Sequence, residues 1–191
     1  MFNVIVFGPP GCGKGTQSVR IVEKHHFLHL STGDLFREEI KEKTALGDIV
    51  SKFIDRGLLI PDSIVMRELY RYALMHQDAK GIVLDGFPRT LIQAEALDKV
   101  FFKKKLKISL VISIEVEEEE LQRRILSRAE DSGRSDDKLE VIKKRIEIYH
   151  KQTKPVIDFY KKHHILETVS GMEEKDIVAQ KIDLIIKKYL K

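Results

Sequence analysis

Tryptophan is absent from this 191-residue chain, cysteine occurs once and proline five times. The single cysteine, Cys12, rules out an intramolecular disulfide and any Cys-rich zinc site, so no structural zinc is expected and the compartment reads as reducing. No apolar run approaches the ~20 residues needed to cross a bilayer, and with the first strand read from Phe2 no cleavable leader is expected. A cytoplasmic protein with no membrane partner is expected. Charge of one sign is missing too. The 34 Lys and Arg face 30 Asp and Glu for a net +4, too balanced for a protein that coats polyanions. The basic run Lys103-Lys104-Lys105 has no interleaved aromatics and falls at a helix end, so it reads as solvated surface and no nucleic-acid partner is expected. The pairs His25-His26 and His163-His164 lack Cys or carboxylate partners at ligand spacing, which argues against a metal role.

What is present is ordinary for a folded domain: 42% hydrophobic and 34% charged residues, without enough Gly or Pro for disorder. Short apolar runs at Phe2–Phe7, Phe27–Leu30, Ile82–Leu84, Ile108–Val116 and Ile165–Val169 alternate with longer amphipathic stretches. That rhythm predicts an α/β fold, a five-stranded parallel sheet between two helical layers. Ligands of such sheets bind at the edge formed by the strand C-termini. The final amphipathic stretch, Glu173 to Leu190, places Ile177, Ile182, Ile185 and Ile186 at helical spacing and reads as core packing.

The segment Gly8-Pro9-Pro10-Gly11-Cys12-Gly13-Lys14-Gly15-Thr16 follows the first apolar run and leads into a helix from Gln17 to His25. Strand, glycine loop and helix N-terminus in that order aim backbone N–H groups and a positive helix end at one anion. Lys14 adds a point charge for the outer phosphates. Gly15 stands where the common phosphate loop has Ser or Thr, and Thr16 follows one residue later, so a direct hydroxyl ligand to magnesium is not implied.

Two further turns follow strands directly. Ser31-Thr32-Gly33-Asp34-Leu35-Phe36-Arg37 leads into two short helical patterns ending near Arg56, with Asp34 read as a helix cap and Asp62 opening the next helix after Pro61. This stretch departs from the crossover rhythm and reads as a small helical flap over the sheet edge. Asp85-Gly86-Phe87-Pro88-Arg89-Thr90 ends the third strand, with Gln93 one turn into the next helix. Asp85 is placed to hold magnesium-bound water, and Arg89 points a five-donor fork into the same space. Beyond the fourth strand, Glu117 to Arg128 reads as a helix carrying Arg124 and Arg128 on one face, repelling unless an anion lies between them or Glu120 neutralises Arg124. A polar loop, Ala129 to Ser135, contains Gly133 and Arg134. A long helix begins near Asp136-Asp137, carries Arg145, and kinks or restarts at Pro155.

With 23 Lys against 11 Arg, Lys is the default cation of this chain. Arg37, Arg89, Arg124, Arg128, Arg134 and Arg145 nonetheless fall at the sheet-edge turns or around the polar loop, where a planar fork suits phosphate oxygens.

Taken together, the Gly-Lys-Gly-Thr loop, Ser-Thr-Gly-Asp-x-x-Arg at 31 to 37, Asp-Gly-Phe-Pro-Arg-Thr with Gln93, and Gly-Arg-x-Asp-Asp at 133 to 137 resemble the adenylate kinases over about residues 3 to 185. The resemblance implies a magnesium-dependent, reversible transfer from ATP to AMP giving two ADP, which keeps adenine nucleotides in balance. It implies that Gly11, Cys12, Gly13, Lys14, Gly15 and Thr16 cradle the ATP phosphates, with Arg128 and the backbone near Gly171, Met172 and Glu173 beside the ATP base. Thr32, Leu58, Leu59, Ile60, Gly86, Phe87, Pro88 and Gln93 would surround AMP, and Arg37 and Arg89 would hold its phosphate. Lys14, Arg89, Arg124, Arg134 and Arg145 would act at the transfer point, with Asp85 behind a magnesium ion held by ATP and water.

The implied organisation is one domain with a core of 1–30, 61–127 and 138–191, a nucleotide-binding flap at 31–60 and a short lid at 128–137. The short lid excludes the inserted metal-binding subdomain of some relatives. A monomer is the simplest expectation. A UMP/CMP kinase shares the frame, but Thr32 stands where pyrimidine-specific relatives generally carry Ala. A nucleotide-binding module without activity would not need the second set of arginines.

Overall fold

A computed structural model of the chain describes residues 1–76, 79–132 and 135–190, with the side chains of 73, 74, 129–132 and 135 outside the description. The five apolar runs form strands β1 (Phe2–Phe7), β2 (Leu28–Ser31), β3 (Gly81–Asp85), β4 (Leu110–Glu115) and β5 (Leu166–Ser170). All pairings are parallel, and the sheet order is β2-β3-β1-β4-β5. Parallel strands need crossovers, and the intervening segments supply helices that cover both faces.

Side-chain alternation sorts the core into two layers. On β1, Ile5 and Phe7 face one way with Leu84, Leu97, Val156 and Tyr160. Val4 and Val6 face the other with Ile112, Ile114, Val178 and Ile182. The first layer is covered by α5 (Leu91–Lys103) and α8 (Lys154–Lys161), the second by α1 (Lys14–His25) and α9 (Lys175–Tyr189). In α9 the buried apolar positions are Val178, Ile182 and Ile186, while Ile177 is 42% exposed. Helical spacing from Ile182 and Ile186 leads back to 178, so the expected packing role of Ile177 belongs to its neighbour.

Helices α1 and α9 are also tied by Asp183. Its buried carboxylate meets Lys24 at 2.9 Å, Lys187 at 2.8 Å and His25 Nε2 at 3.1 Å. Burial alone would raise this carboxyl, but hydrogen bonds from Lys187 and Lys24 hold it below its ordinary range. His25 therefore has a carboxylate partner, one brought from 158 positions away.

The stretch expected to form a flap at the β2 end folds into α2 (Thr32–Lys41) and α3 (Ala45–Ile54), and α4 (Asp62–Met75) follows. The cap of α2 is Ser31, whose Oγ accepts the Asp34 N–H at 3.2 Å; Asp34 itself lies inside the first turn. A Ser at the strand end can satisfy that orphan donor with no change of backbone, so the helix starts earlier than an Asp34 cap would allow. The helix after β4, α6 (Glu118–Ser132), runs four residues beyond Arg128, through positions expected to be loop. Glu130, Asp131 and Ser132 are polar enough to read as a turn, yet the stretch from Ala129 holds no Gly or Pro to stop a helix. A 3₁₀ turn, Ser135–Asp137, precedes α7 (Leu139–Ile148), and a π-helical turn, Tyr149–Thr153, joins α7 to α8. Pro155 lies at the second position of α8, where its missing N–H costs no internal hydrogen bond.

Candidate active site

The register sets three motif-bearing turns side by side. Val6 and Ser31 both pair with Asp85, so the ends of β1, β2 and β3 lie level at one edge. Over that edge opens a cavity of about 1130 Å³, above the roughly 300–1,000 Å³ typical of a single-ligand pocket.

At its floor the phosphate loop turns from β1 into α1. Gly13 caps α1 in a left-handed conformation, φ 92°, which a side chain at that position would strain. Gly11 through Thr16 all line the cavity. Cys12 does so while its side chain is packed into the core, 2% exposed, and burial pushes its thiol up. Lys14 Nζ rests 3.3 Å from the Pro9 carbonyl oxygen, and burial lowers its ammonium from the ordinary range.

The Asp85 carboxylate, 6% exposed, borders the loop: a side chain added at Gly15 would place its Cβ 3.6 Å from Asp85 Oδ2. His29 on β2 stands 3.7 Å from the same oxygen. One carboxylate beside a phosphate loop fits magnesium, which keeps its waters and relies on substrate phosphates rather than a protein cage. Among the described residues, no cluster of three His, Cys, Asp or Glu could hold a metal unaided.

The arginines converge as composition suggested. Arg37, Arg89, Arg124, Arg128 and Arg145 all line the cavity, and Arg123 joins them. Arg134 lies outside the described residues. Most of these forks already hold a carboxylate. Arg37 meets Asp34 at 2.6 Å, Arg124 meets Glu120 at 2.6 Å and Arg145 meets Asp136 at 2.6 Å. Arg128 meets both oxygens of Asp137, at 2.9 and 2.6 Å. Glu120 also takes Arg123, and the hydrogen bonds from Arg123 and then Arg124 hold its carboxyl down to about 2. The expected alternative to a ligand between Arg124 and Arg128 is thus the arrangement present.

Arg89 differs. Its Nε donates to the Gly86 carbonyl at 2.7 Å, and no carboxylate lies within ion-pair distance of it among the described residues. Burial, then the like charge of Arg145, lowers it to about 10. A half-buried cation beside Arg145 and Arg37, only partly offset by Asp85 and Asp136, favours an incoming anion.

Gly86 organises the neighbouring wall. Its φ is 73°, and a Cβ there would come within 2.8 Å of Arg89 Nη2 and 3.2 Å of Thr32 Oγ1. The Gly86 carbonyl accepts Thr32 Oγ1 at 2.8 Å as well as Arg89 Nε, tying the β2 and β3 turns together. Leu58, Leu59, Ile60, Pro88 and Gln93 complete this wall, and Gly171 and Glu173 line the opposite end. Phe87 and Met172 are not on it. Phe87 is 1% exposed within the core, and the Met172 sulfur faces the Glu117 N–H at 3.5 Å.

Sequence reasoning missed Thr153, whose Oγ1 donates to the Arg89 carbonyl at 3.0 Å across 64 positions, and Tyr149, which burial raises well above its ordinary range. Neither carries a local signal. His29 did carry one, as a polar side chain inside a short apolar strand.

The family model described as adenylate kinase matches residues 6–165. An adenylate kinase of Bacteroides thetaiotaomicron is 47% identical over 92% of this chain and 93% of its own. One from Phocaeicola vulgatus is 43% identical over 98% of this chain and its entire length, and one from a Cyanothece species is 42% identical over 94% and 93%. With the phosphate loop, the arginine-lined cavity and these matches agreeing, the chain belongs to the adenylate kinase family, whose reaction passes a phosphoryl group from ATP to AMP and leaves two ADP.

Proposed function

We propose that the two ends of the cavity hold the two nucleotides of this reaction, ATP at the phosphate loop and AMP at the Thr32 wall, with their phosphates meeting beneath the arginines. The observation that carries this is the convergence of Lys14 and six arginines on one cavity whose opposite walls are Gly171 with Glu173 and Thr32 with Gln93.

The AMP phosphate is anionic at neutral pH, so its attacking oxygen needs no general base and none is assigned. The barrier lies in bringing two polyanions together and stabilising charge on the transferring group. Gly11 to Thr16 present backbone N–H groups to the ATP phosphates, and Lys14 adds its charge. Arg37 and Arg89 hold the acceptor phosphate, while Arg124 and Arg145, joined by Arg134, act on the transferring group. Arg128 lies against the ATP base end. As phosphates arrive, Glu120, Asp136 and Asp137 yield the forks they now hold, so part of the electrostatic gain offsets broken ion pairs. Asp85 would back a magnesium ion entering with ATP, which would supply charge neutralisation of the phosphate oxygens.

The flap at 31–60 and the lid at 128–137 close over the pair and exclude water, the competing acceptor. The protein works as a monomer in the cytoplasm. A coupled assay with ATP, magnesium and AMP, UMP, CMP or GMP in turn tests the assignment. AMP should be the preferred acceptor; equal rates with UMP overturn it, and ATP binding without ADP formation overturns the kinase reading.

A further inference from the structure

The Gln93 amide is held at both ends. Its Nε2 donates to Asp62 Oδ1 at 2.7 Å, and its Oε1 accepts the Arg89 backbone N–H at 2.7 Å. A carboxylate can only accept and a backbone N–H can only donate, so neither contact survives with the amide turned over. Asp62 is the first residue of α4, separated only by Pro61 from the Leu58–Ile60 segment that borders the cavity. Its carboxylate is further pinned by Thr90 Oγ1, 3.2 Å from each oxygen, and that hydroxyl also accepts the Gln93 backbone N–H at 3.2 Å.

We propose that Asp62 is a positioning residue that sets base selectivity by locking the polarity of the Gln93 amide toward the acceptor purine. This rests on the acceptor base lying at Gln93, as proposed above. An amide has two N–H donors and two oxygen lone pairs, and the two locks consume one of each. One N–H and one lone pair remain on a residue that lines the cavity. Adenine offers a donor at its exocyclic position 6 where guanine offers an acceptor. An amide free to turn over could serve either base. A locked one serves one order only, and sets donor against donor or oxygen against oxygen for the other. Asp62, together with the Arg89 N–H, thereby turns an ambidextrous side chain into a discriminating one without touching the substrate.

The test uses the full chain as wild type, Asp62→Asn, Gln93→Leu and the double variant, with kcat/KM measured for AMP and for GMP at saturating ATP and magnesium. Asn can donate or accept, so it removes one lock while Arg89 keeps the other. With the Arg89 N–H still favouring one orientation, the AMP-over-GMP ratio should fall roughly threefold, less than the loss of a whole bidentate base contact, while KM for ATP holds within about twofold. Gln93→Leu should lower the ratio at least as far, and adding Asp62→Asn to it should change little more, because Asp62 acts through the amide. Asp62→Ser, whose hydroxyl also either donates or accepts, carries the same expectation should the Asn variant fold poorly.

An unchanged ratio in Asp62→Asn, or an equal further loss in the Gln93→Leu background, overturns the proposal and leaves the acceptor pocket standing. An unchanged ratio in Gln93→Leu shows instead that the base does not lie at Gln93.

Discussion

Replacing Arg89 with Ala removes a guanidinium that has one fixed hydrogen bond, Nε to Gly86 at 2.7 Å, and no carboxylate partner among the described residues. Its displacement from 12.5 to about 10, caused first by burial and then by the like charge of Arg145, corresponds at 1.36 kcal/mol per pKa unit to about 3 kcal/mol against the charged form, which solvent screening of a half-buried side chain cuts to about 1.5 kcal/mol. An acceptor phosphate relieves that penalty and gains a charge-assisted fork, about 2 kcal/mol more. Together these give roughly 3–4 kcal/mol at the transition state, or a 10²–10³-fold loss of kcat/KM for AMP in Arg89→Ala. Arg89→Lys keeps the charge and loses the planar fork, so a loss nearer tenfold is expected. Coupled detection of ADP gives the rates, and circular dichroism with a thermal melt confirms the fold. The cation must stay protonated to hold the phosphate, so wild-type kcat/KM for AMP should decline as pH rises through about 10. An Ala variant within threefold of wild type refutes the role.

Thr153→Val should raise KM for AMP severalfold with little change in KM for ATP, since the lost hydroxyl supports the Arg89 carbonyl at 3.0 Å, and Thr153→Ser should restore it; equal effects on both substrates contradict the link. Asp183→Asn should cost about 2 kcal/mol, roughly 5 °C in Tm, by leaving Lys24, Lys187 and His25 without their shared carboxylate. Because Asp183 is held below its ordinary value, the stability it lends is full above the unfolded carboxyl's pKa of about 4 and fades as pH falls through the folded value. A wild-type-like acid denaturation curve in the Asn variant counts against this. Cys12, 2% exposed with its thiol raised by burial, should react with an aromatic disulfide reagent at least ~10²-fold more slowly in the native protein than in denaturant; comparable rates would place the thiol in the open.

The parts of the site legible in the sequence are those carried by local spacing. The glycine loop needs only a strand before it and a helix behind it, and the turns at Ser31 and Asp85 are level because each closes a parallel strand of the same sheet. The apolar runs marked the strand ends to within two residues for the same reason. What escaped were contacts between side chains distant in sequence: Thr153 with Arg89, His25 with Asp183, Gln93 with Asp62. No periodicity marks such pairs, because they depend on which helices the tertiary fold sets side by side. The misplaced details were one-residue or one-turn matters. Ser31 rather than Asp34 caps α2, Val178 rather than Ile177 packs, and α6 continues to Ser132. In each, a residue type compatible with two states was settled by its neighbours in space.

The claim beneath all of this is that one cavity takes two nucleotides with their phosphates meeting. Calorimetric titration with a bisubstrate mimic, two adenosines bridged by five phosphoryl units, tests it most directly. One molecule should bind per chain, far more tightly than ATP or AMP alone, and both nucleotides should compete with it. Absence of binding, or displacement by ATP but not by AMP, would contradict a shared cavity.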